Sequence, residues 1–335
     1  MSTQRQDNER HISTQPTHPE SMAWLQPLQG SWANISKSGE VDLPGRGWNM
    51  IALPDASDPA GFRLFMNQYN ECLDFNLVDE NVPNRGVSST RPVTQTDQFI
   101  VTLDYQQRVK QIAEMNRFAD VADDSGVVRK FADIHHEPGL FLRMKNHQTE
   151  GFDIARLGTI PHGNSLLALG KGGKISGRPP IPGIGGVPHI HGSSGLPIGV
   201  QGSKFLDRYN RGNFIVFNPF NPTELLDRAI RNQNIVSTVT LDFDTRHVSG
   251  GIVNIPFIEK QADTTAMRSI FWIEEIGNDD GTTTMQLQYL QVVILEFGRN
   301  KDGGPVQFPH ISINTMQKLK HGDECSLPTG GAEEE

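Results

Sequence analysis

Residues 284–297 read TMQLQYLQVVILEF, and this stretch decides the fold class of the chain. Met285, Leu287 and Tyr289 alternate with Gln286 and Gln288. In an extended strand, successive side chains point to opposite faces, so this order gives one apolar face and one polar face. The stretch therefore predicts a half-buried β-strand.

The same period of two recurs along the chain. It appears in RLFMNQYNECLDFNLV (63–78), DQFIVTLDYQQ (97–107) and IVSTVTLDFDT (235–245). Turn-forming clusters punctuate these segments, namely NVPNRG (81–86), GNDDGTT (277–283) and RNKDGGP (299–305). We predict an all-β protein, a mostly antiparallel barrel or sandwich with one or two short helices.

Helix signals are few. The best is NPTELLDRAIRNQN (221–234), in which Asn221 is a candidate N-cap and the leucine, alanine and isoleucine side chains form one apolar stripe. A second candidate is YQQRVKQIAEMNRFADV (105–121). Both are expected as additions to a sheet.

The organisation of the chain follows from its composition. It has 335 residues, of which 33 are glycine and 21 are proline, and this content suits many turns. We predict a disordered tail over residues 1–20, a single barrel domain over 21–320 and a second disordered tail over 321–335. An insertion at about residues 170–260 begins with a Gly/Pro-rich zone (170–203). We expect this zone to pack as a lid over a barrel end, and the alternative is a mobile surface loop.

Charge and cysteine content narrow the function classes. The net charge is −9 without a basic stripe, which argues against nucleic acid or an anionic membrane as the main partner. Cys72 and Cys325 lie far apart, so a disulfide is not expected and a reducing compartment fits. Residues 1–22 are polar and no run is apolar enough to span a bilayer, so a cytoplasmic protein is predicted.

Ionisable side chains concentrate in residues 134–170. Six of them form what we call the hairpin set: His135, His136, Glu137, Arg143, Arg156 and His162. On a strand, His135 and Glu137 share one face and His136 points the other way. The spacing is not that of a zinc site, and the His189–His191 pair is too little for one. The hairpin set is either an acid–base cluster or a structural hydrogen-bond cluster in which Glu137 pairs with an arginine.

Three motifs occur in the order LQGSW (28–32), HHEPGLFLR (135–143) and FPHISINTMQKL (308–319). In this order they resemble the nitrobindin family of haem-binding β-barrels, over about half of the chain. GWNMIALP, NQYNE, VPNRG and IPHG are similar to stretches of bacterial proteins described as haem-binding or peroxidase-like. The resemblance implies a calycin-like antiparallel barrel that binds haem b. The chain departs from the family in the insertion and in the glycine run that normally follows Gly-x-Trp.

The resemblance also implies candidate ligand residues. His310, which opens the last strand, would ligate the haem iron, a role that suits a neutral imidazole. The alternative is a rim histidine bonded to a backbone carbonyl. Trp48 and Met50 would line the pocket, with core packing as the alternative. Arg85 would bind a haem propionate, with an ordinary surface position as the alternative.

The position of His310 has a consequence for its strand. If the ring points into the barrel, Ser312 and Asn314 also point inward. Ile311 and Ile313 then point outward and need cover, which the insertion can supply.

Three functions are compatible with these residues. The first is a haem-dependent, peroxidase-like enzyme acting on a small hydrophobic substrate, in which histidine, arginine and Glu137 of the hairpin set activate peroxide. The second is a non-enzymatic carrier or sensor of haem, NO or a lipid-like ligand. The third is a cofactor-free barrel whose polar cluster performs acid–base chemistry. A homo-oligomer is compatible with all three.

Overall fold

The structure is a computed structural model that describes residues 22–34, 47–56, 61–87, 95–115, 128–129, 133–144, 151–160, 163–190, 218–254, 263–299, 305–320 and 322–327. The strands are β1 (Gly30–Ala33), β2 (Gly47–Pro54), β3 (Phe62–Val87), β4 (Gln95–Met115), β5 (Val128–Arg129), β6 (Asp133–Met144), β7 (Ile154–Ile160), β8 (Asn164–Ser176), β9 (His189–Ile190), β10 (Ile235–Asp244), β11 (Gly251–Asn254), β12 (Asp263–Gly277), β13 (Thr283–Arg299) and β14 (Pro305–Lys318). The helices in these residues are a 3-10 helix (Ala23–Leu28) and α1 (Glu224–Ile230).

Ten strands close into an antiparallel barrel. Their order is β3-β2-β14-β13-β12-β10-β8-β7-β6-β4, and β4 pairs back onto β3. Four short strands extend this wall: β1 pairs with both β3 and β14, β5 with β4, β9 with β14 and β11 with β8. The prediction of an all-β antiparallel barrel with one or two short helices is confirmed.

The faces predicted to be apolar meet inside the barrel. Their buried members are Leu73, Phe75, Leu77, Val101, Leu103, Tyr105, Val239, Leu241, Phe243, Leu287 and Tyr289. Phe141 of β6 lies at the centre, with its ring centroid 5.0 Å from that of Phe243 and 5.1 Å from that of Tyr105, both edge to face. Aromatic rings favour this geometry, and it fills the middle of the barrel.

The 3-10 helix plugs one end of the barrel. Leu25 and Leu28 are fully buried, and the indole of Trp32 donates a 2.7 Å hydrogen bond to the carbonyl of Leu28. Trp24 packs over Gly172 of β8 so closely that a Cβ at this position would overlap the indole. Only glycine allows this approach, so the plug depends on the glycine content of β8.

Described residues of the insertion pack against the outer side of the barrel wall. Ile311 and Ile313 point outward and are each 1% exposed, as the inward direction of His310 requires. The apolar cluster that contains Ile311 and Ile313 also includes Val187 of the insertion and Leu225 and Leu226 of α1, with Ile181 and Ile184 packed against it. The amide of Gln288 donates to the carbonyl of Leu226 over 3.0 Å. The predicted cover over the two isoleucines is therefore present. β10, which also falls within 170–260, is part of the barrel wall.

Two local predictions need correction. The helix proposed for residues 105–121 is wrong for 105–115, which belong to β4, while 116–121 lie outside the described residues. The turn proposed for residues 81–86 is also wrong, because these residues continue β3 through irregular pairing with β4. In both places the long β3–β4 ladder overrides local propensity. The helix predicted within 221–234 is confirmed as α1, but Asn221 is not its N-cap, because the helix begins at Glu224 with Thr223 in the N-cap position.

The prediction that the cysteines do not pair is wrong. Cys72 and Cys325 form a disulfide, with their Cα atoms 5.8 Å apart. Cys72 lies on the outer face of β3, and the bond holds residues 322–327 against this face beside Ala33. Sequence separation gave no hint of the contact, and the argument for a reducing compartment loses its basis. In the part of the chain that the structure describes, no helix has both the length and the apolar character needed to span a membrane.

Replacing Cys72 by serine should lower the free energy of unfolding by about 2–4 kcal/mol, because the disulfide restricts the unfolded chain across 253 residues. Chemical denaturation without reductant measures this loss. Wild-type protein with reductant is the matched control and should unfold like the variant. Two reactive thiols in denatured, unreduced wild-type protein would show that the pair does not form.

Candidate functional site

A cavity of about 270 Å³ lies inside the barrel at the end opposite the plug. Strands β2, β3, β4, β6, β7, β13 and β14 supply its walls. The lining residues are Asn49, Ile51, Phe65, Asn67, Tyr69, Gln107, Val109, Gln111, Ile134, His135, Ile160, Tyr289, Gln291, Val293, His310 and Ser312. Apolar side chains therefore share this cavity with amides, hydroxyls and two imidazoles, a mixture typical of sites that orient a small molecule.

His310 lies on the wall of this cavity. It is 8% exposed, and its Nε2 lies 2.5 Å from the amide nitrogen of Asn49 on β2. The same amide donates to Ser312 over 3.1 Å, which fixes its orientation across the β2–β14 ladder. When the amide donates to His310, Nε2 is the nitrogen that carries the lone pair. This is the form of imidazole that binds a metal.

A second histidine lines the far side of the cavity. His135 belongs to β6, which β2, β3 and β4 separate from β14 around the barrel. Its Nε2 lies 3.2 Å from Oε2 of Glu137, two residues along the same face. The structure thus brings into one cavity two histidines that are 175 positions apart in the sequence.

A hydrogen-bonded polar floor supports the cavity. The carboxylate of Glu71 is fully buried and accepts hydrogen bonds from the Tyr289 hydroxyl (2.7 Å), the Asn314 amide (2.7 Å) and the Gln107 amide (2.6 Å). The Tyr69 hydroxyl lies 2.8 Å from that of Tyr289. Burial raises the pKa of Glu71 above its ordinary value, although the three hydrogen bonds oppose this change.

Sequence reasoning missed Glu71. It lies in NQYNE (67–71). Asn67, Tyr69 and Glu71 share the inward face of β3 with Leu73 and Phe75, which follow them along the strand. The sequence feature that could have identified Glu71 is a glutamate on the same strand face as buried apolar residues. A carboxyl in such a position is rarely buried without partners, so it indicates a polar network inside the fold.

Beside this floor, Glu137, which lies opposite Gln107 in the β4–β6 ladder, and Arg156 form a buried ion pair. Arg156 Nη2 donates to Glu137 over 2.6 Å, and the two side chains are 2% and 0% exposed, respectively. Burial alone would raise the pKa of Glu137, but Arg156 and the hydrogen bonds from His135 and Tyr105 outweigh it and lower this pKa to about 2. The pair is therefore charged at neutral pH.

Arg156 is fully engaged by its surroundings. Its Nη1 donates to Ser269 (3.0 Å) and to Gln291 (2.7 Å), and its guanidinium lies 5.2 Å from the ring centroid of Tyr105. Because Gln291 also lines the cavity, it connects the ion pair with the cavity wall. Within the hairpin set, Glu137 does pair with an arginine.

The other candidate residues lie elsewhere. His136 is exposed on the outer face of β6, and Arg143 lies toward the plugged end, where Asp153 opposes the lowering of its pKa by burial. Trp48 and Met50 point to the outer face of β2, because they alternate with Asn49. Met50 packs against Gly186 of the insertion.

Two candidates, Arg85 and His162, lie partly or wholly outside the described residues. Arg85 lies in β3 opposite Asp97, and its side chain is outside the described part of the chain. His162 lies outside the described residues, as does His191, and the side chain of His189 is not described. Among described residues, no three or more His, Cys, Asp and Glu side chains are grouped to hold a metal ion.

Comparison with models of known protein families finds no match, and comparison with curated proteins finds none. Fold and site together define a closed ten-stranded antiparallel barrel with one end plugged and a histidine-lined cavity at the other.

Replacing Arg156 by methionine should destabilise the protein by about 3–5 kcal/mol, because Glu137 would remain buried without its cationic partner. Arg178→Met is the matched control, since Arg178 and Asp227 form an exposed pair worth about 1 kcal/mol or less. If Arg156→Met and Arg178→Met lowered the free energy of unfolding by denaturant equally, the buried ion pair between Glu137 and Arg156 would be contradicted.

The same variant has a predicted pH dependence. In the wild type, the ionised Glu137 stabilises the fold above the unfolded-state pKa of about 4.3, and this contribution is lost as pH falls through about 2. Arg156→Met lacks this contribution. The stability gap between the two proteins should therefore shrink as the solution is acidified, and a constant gap would contradict the low pKa.

Proposed function

We propose that this protein is a ligand-binding barrel that takes haem in the cavity beside His310. The observation that carries the proposal is the imidazole of His310 on the wall of a barrel cavity. It agrees with the role that the resemblance of FPHISINTMQKL implies.

The donor set fits a histidine-ligated group. His310 offers a neutral imidazole nitrogen, and the cavity adds apolar side chains for the faces of a macrocycle: Ile51, Phe65, Val109, Ile134, Ile160 and Val293. Two features oppose immediate binding. The side-chain amide of Asn49 already contacts Nε2 of His310. The cavity volume of about 270 Å³ is also smaller than that of typical sites for drug-sized ligands, which measure about 300–1,000 Å³. Haem binding therefore requires Asn49 to turn away and the cavity to widen.

Within this proposal, each residue has a limited role. His310 would hold the iron, and a bound haem would supply redox chemistry. His135, hydrogen-bonded to Glu137, is one of the cavity side chains that would move a proton. Arg156 donates hydrogen bonds to Glu137, Ser269 and Gln291 and is not among the residues that line the cavity. Because its charge does not face the cavity, we rank carriage or sensing of a ligand ahead of peroxidase-like turnover, which needs a cation beside the peroxide.

A second candidate function has its own support. The small volume and the many amide and hydroxyl groups of the cavity favour a small ligand that forms hydrogen bonds, without any cofactor. In this case His135 and the tyrosines would perform acid–base chemistry or simply orient the ligand.

Titration of the purified protein with hemin should give a Soret band that saturates at one equivalent, and His310→Ala should lose it while keeping the wild-type fold by circular dichroism. His136→Ala is the matched control, since His136 is exposed outside the barrel, and it should keep the band. A wild type that takes up no hemin, or an unchanged spectrum in His310→Ala, would refute haem binding at His310.

Peroxide-dependent oxidation of a generic dye by the hemin-loaded wild type separates the enzyme from the carrier. Because Arg156 does not face the cavity, we expect a rate within about tenfold of that of free hemin. A much faster reaction that His135→Gln abolishes would favour the enzyme.

A further inference from the structure

We propose that Glu71 is a proton store for the cavity, reached from it through the hydroxyls of Tyr289 and Tyr69. The proposal does not depend on haem and goes beyond the proposed function. It assigns to the cavity a ligand that presents an O–H or a C=O oxygen to Tyr69.

The surroundings of Glu71 are neutral hydrogen-bond donors. Its three carboxylate contacts come from Tyr289 on β13, Asn314 on β14 and Gln107 on β4. Among the described residues, no lysine or arginine lies within ion-pair distance of this carboxylate, in contrast to Glu137. Burial of this carboxyl favours its neutral form, whereas the three donated hydrogen bonds favour the carboxylate, so the site offers partners to both protonation states.

Other titratable groups near Glu71 act in a definite direction. His135 on β6, when positively charged, favours the carboxylate. Tyr69 on β3 and Tyr289 on β13 stay protonated at neutral pH, because burial raises the pKa of each hydroxyl well above its usual value. His310 faces the same cavity from β14. The two tyrosines can therefore pass a proton without losing one.

A continuous chain of oxygen atoms joins the carboxylate to the cavity. Glu71 Oε2 lies 2.7 Å from the Tyr289 hydroxyl, which lies 2.8 Å from the Tyr69 hydroxyl. The Tyr69 hydroxyl lies 3.2 Å from the carbonyl oxygen of Ile313. Both tyrosines line the cavity, so the chain ends at its surface.

This chain has two hydrogen-bond orientations. With Glu71 ionised, Tyr69 donates to Tyr289 and Tyr289 donates to the carboxylate. With Glu71 protonated, the carboxyl donates to Tyr289, Tyr289 donates to Tyr69, and Tyr69 donates to Ile313 or to a ligand. Tyr69 is thus an acceptor toward the cavity in the first state and a donor in the second.

The transfer balances atom by atom. A ligand O–H bond breaks and its proton joins Tyr69, the Tyr69 proton moves to Tyr289, and the Tyr289 proton forms the new O–H bond on Glu71. The products are a deprotonated ligand and a neutral Glu71, and nothing is oxidised or reduced. Glu71 acts through the tyrosines and is therefore a positioning residue.

The test uses the full-length protein with ¹³C-labelled tyrosine and follows the ring-carbon shifts of Tyr69 and Tyr289 by NMR as the pH is raised. Both shifts should move together, with one midpoint above the ordinary glutamate value of about 4.3. Tyr105 is the internal control, because its partner Glu137 stays ionised above a pKa of about 2. Tyr69 and Tyr289 shifts that stay constant would overturn the proposal.

Two variants separate the relay from simple packing. Glu71→Gln should abolish the movement at both tyrosines, and Tyr289→Phe, which removes the middle of the chain, should abolish it at Tyr69. Persistence of the Tyr69 shift in either variant would overturn the proposal. None of these outcomes depends on hemin, so failure of haem binding and failure of the relay are distinguishable.

Stability gives a second readout that does not need the labels. A carboxyl whose pKa is raised by folding destabilises the native state as pH rises from about 4.3 through the folded-state pKa. The stability of the wild type relative to Glu71→Gln should therefore fall over this range. Glu274, whose pKa burial raises to about 7, titrates in both proteins and cancels in the difference. A difference that does not fall would contradict the role of Glu71.

Discussion

The pairing of β3 with β4 is the constraint on which the rest of the structure depends. These strands are 26 and 21 residues long, and their ladder joins the first wall strands to the middle of the chain. Because this pairing closes the ring, the sheet has an inner and an outer surface. Alternate side chains of each strand therefore point into the barrel and away from it. An interior site and a covered outer face are consequences of this closure.

The interior divides into three levels. Apolar side chains and the 3-10 helix fill one end, a satisfied polar layer crosses the middle, and the cavity occupies the other end. The polar layer contains two carboxylates with different partners. Glu137 has Arg156 and stays charged, whereas Glu71 has neutral donors and can change its protonation state. Environment alone gives the two carboxylates different roles.

Sequence periodicity predicted the parts of the fold that repeat every two residues. The strand faces follow from alternation. The inward direction of His310 was implied only by the resemblance to the nitrobindin family, and alternation then required cover over Ile311 and Ile313. The disulfide and the choice of Arg156 as partner of Glu137 did not follow, because they depend on the register between strands far apart in the chain. Glu71 was missed because its three partners come from different strands, and only the closed barrel brings them together.

The central claim is that the cavity beside His310 holds the ligand of this protein. Native mass spectrometry of protein purified without added ligand, compared with a Ser312→Phe variant whose new ring fills the cavity, tests it most directly. The account predicts a bound small molecule on the wild type that the filled variant lacks while remaining folded. A bare wild type, or the same bound mass on both proteins, would contradict it.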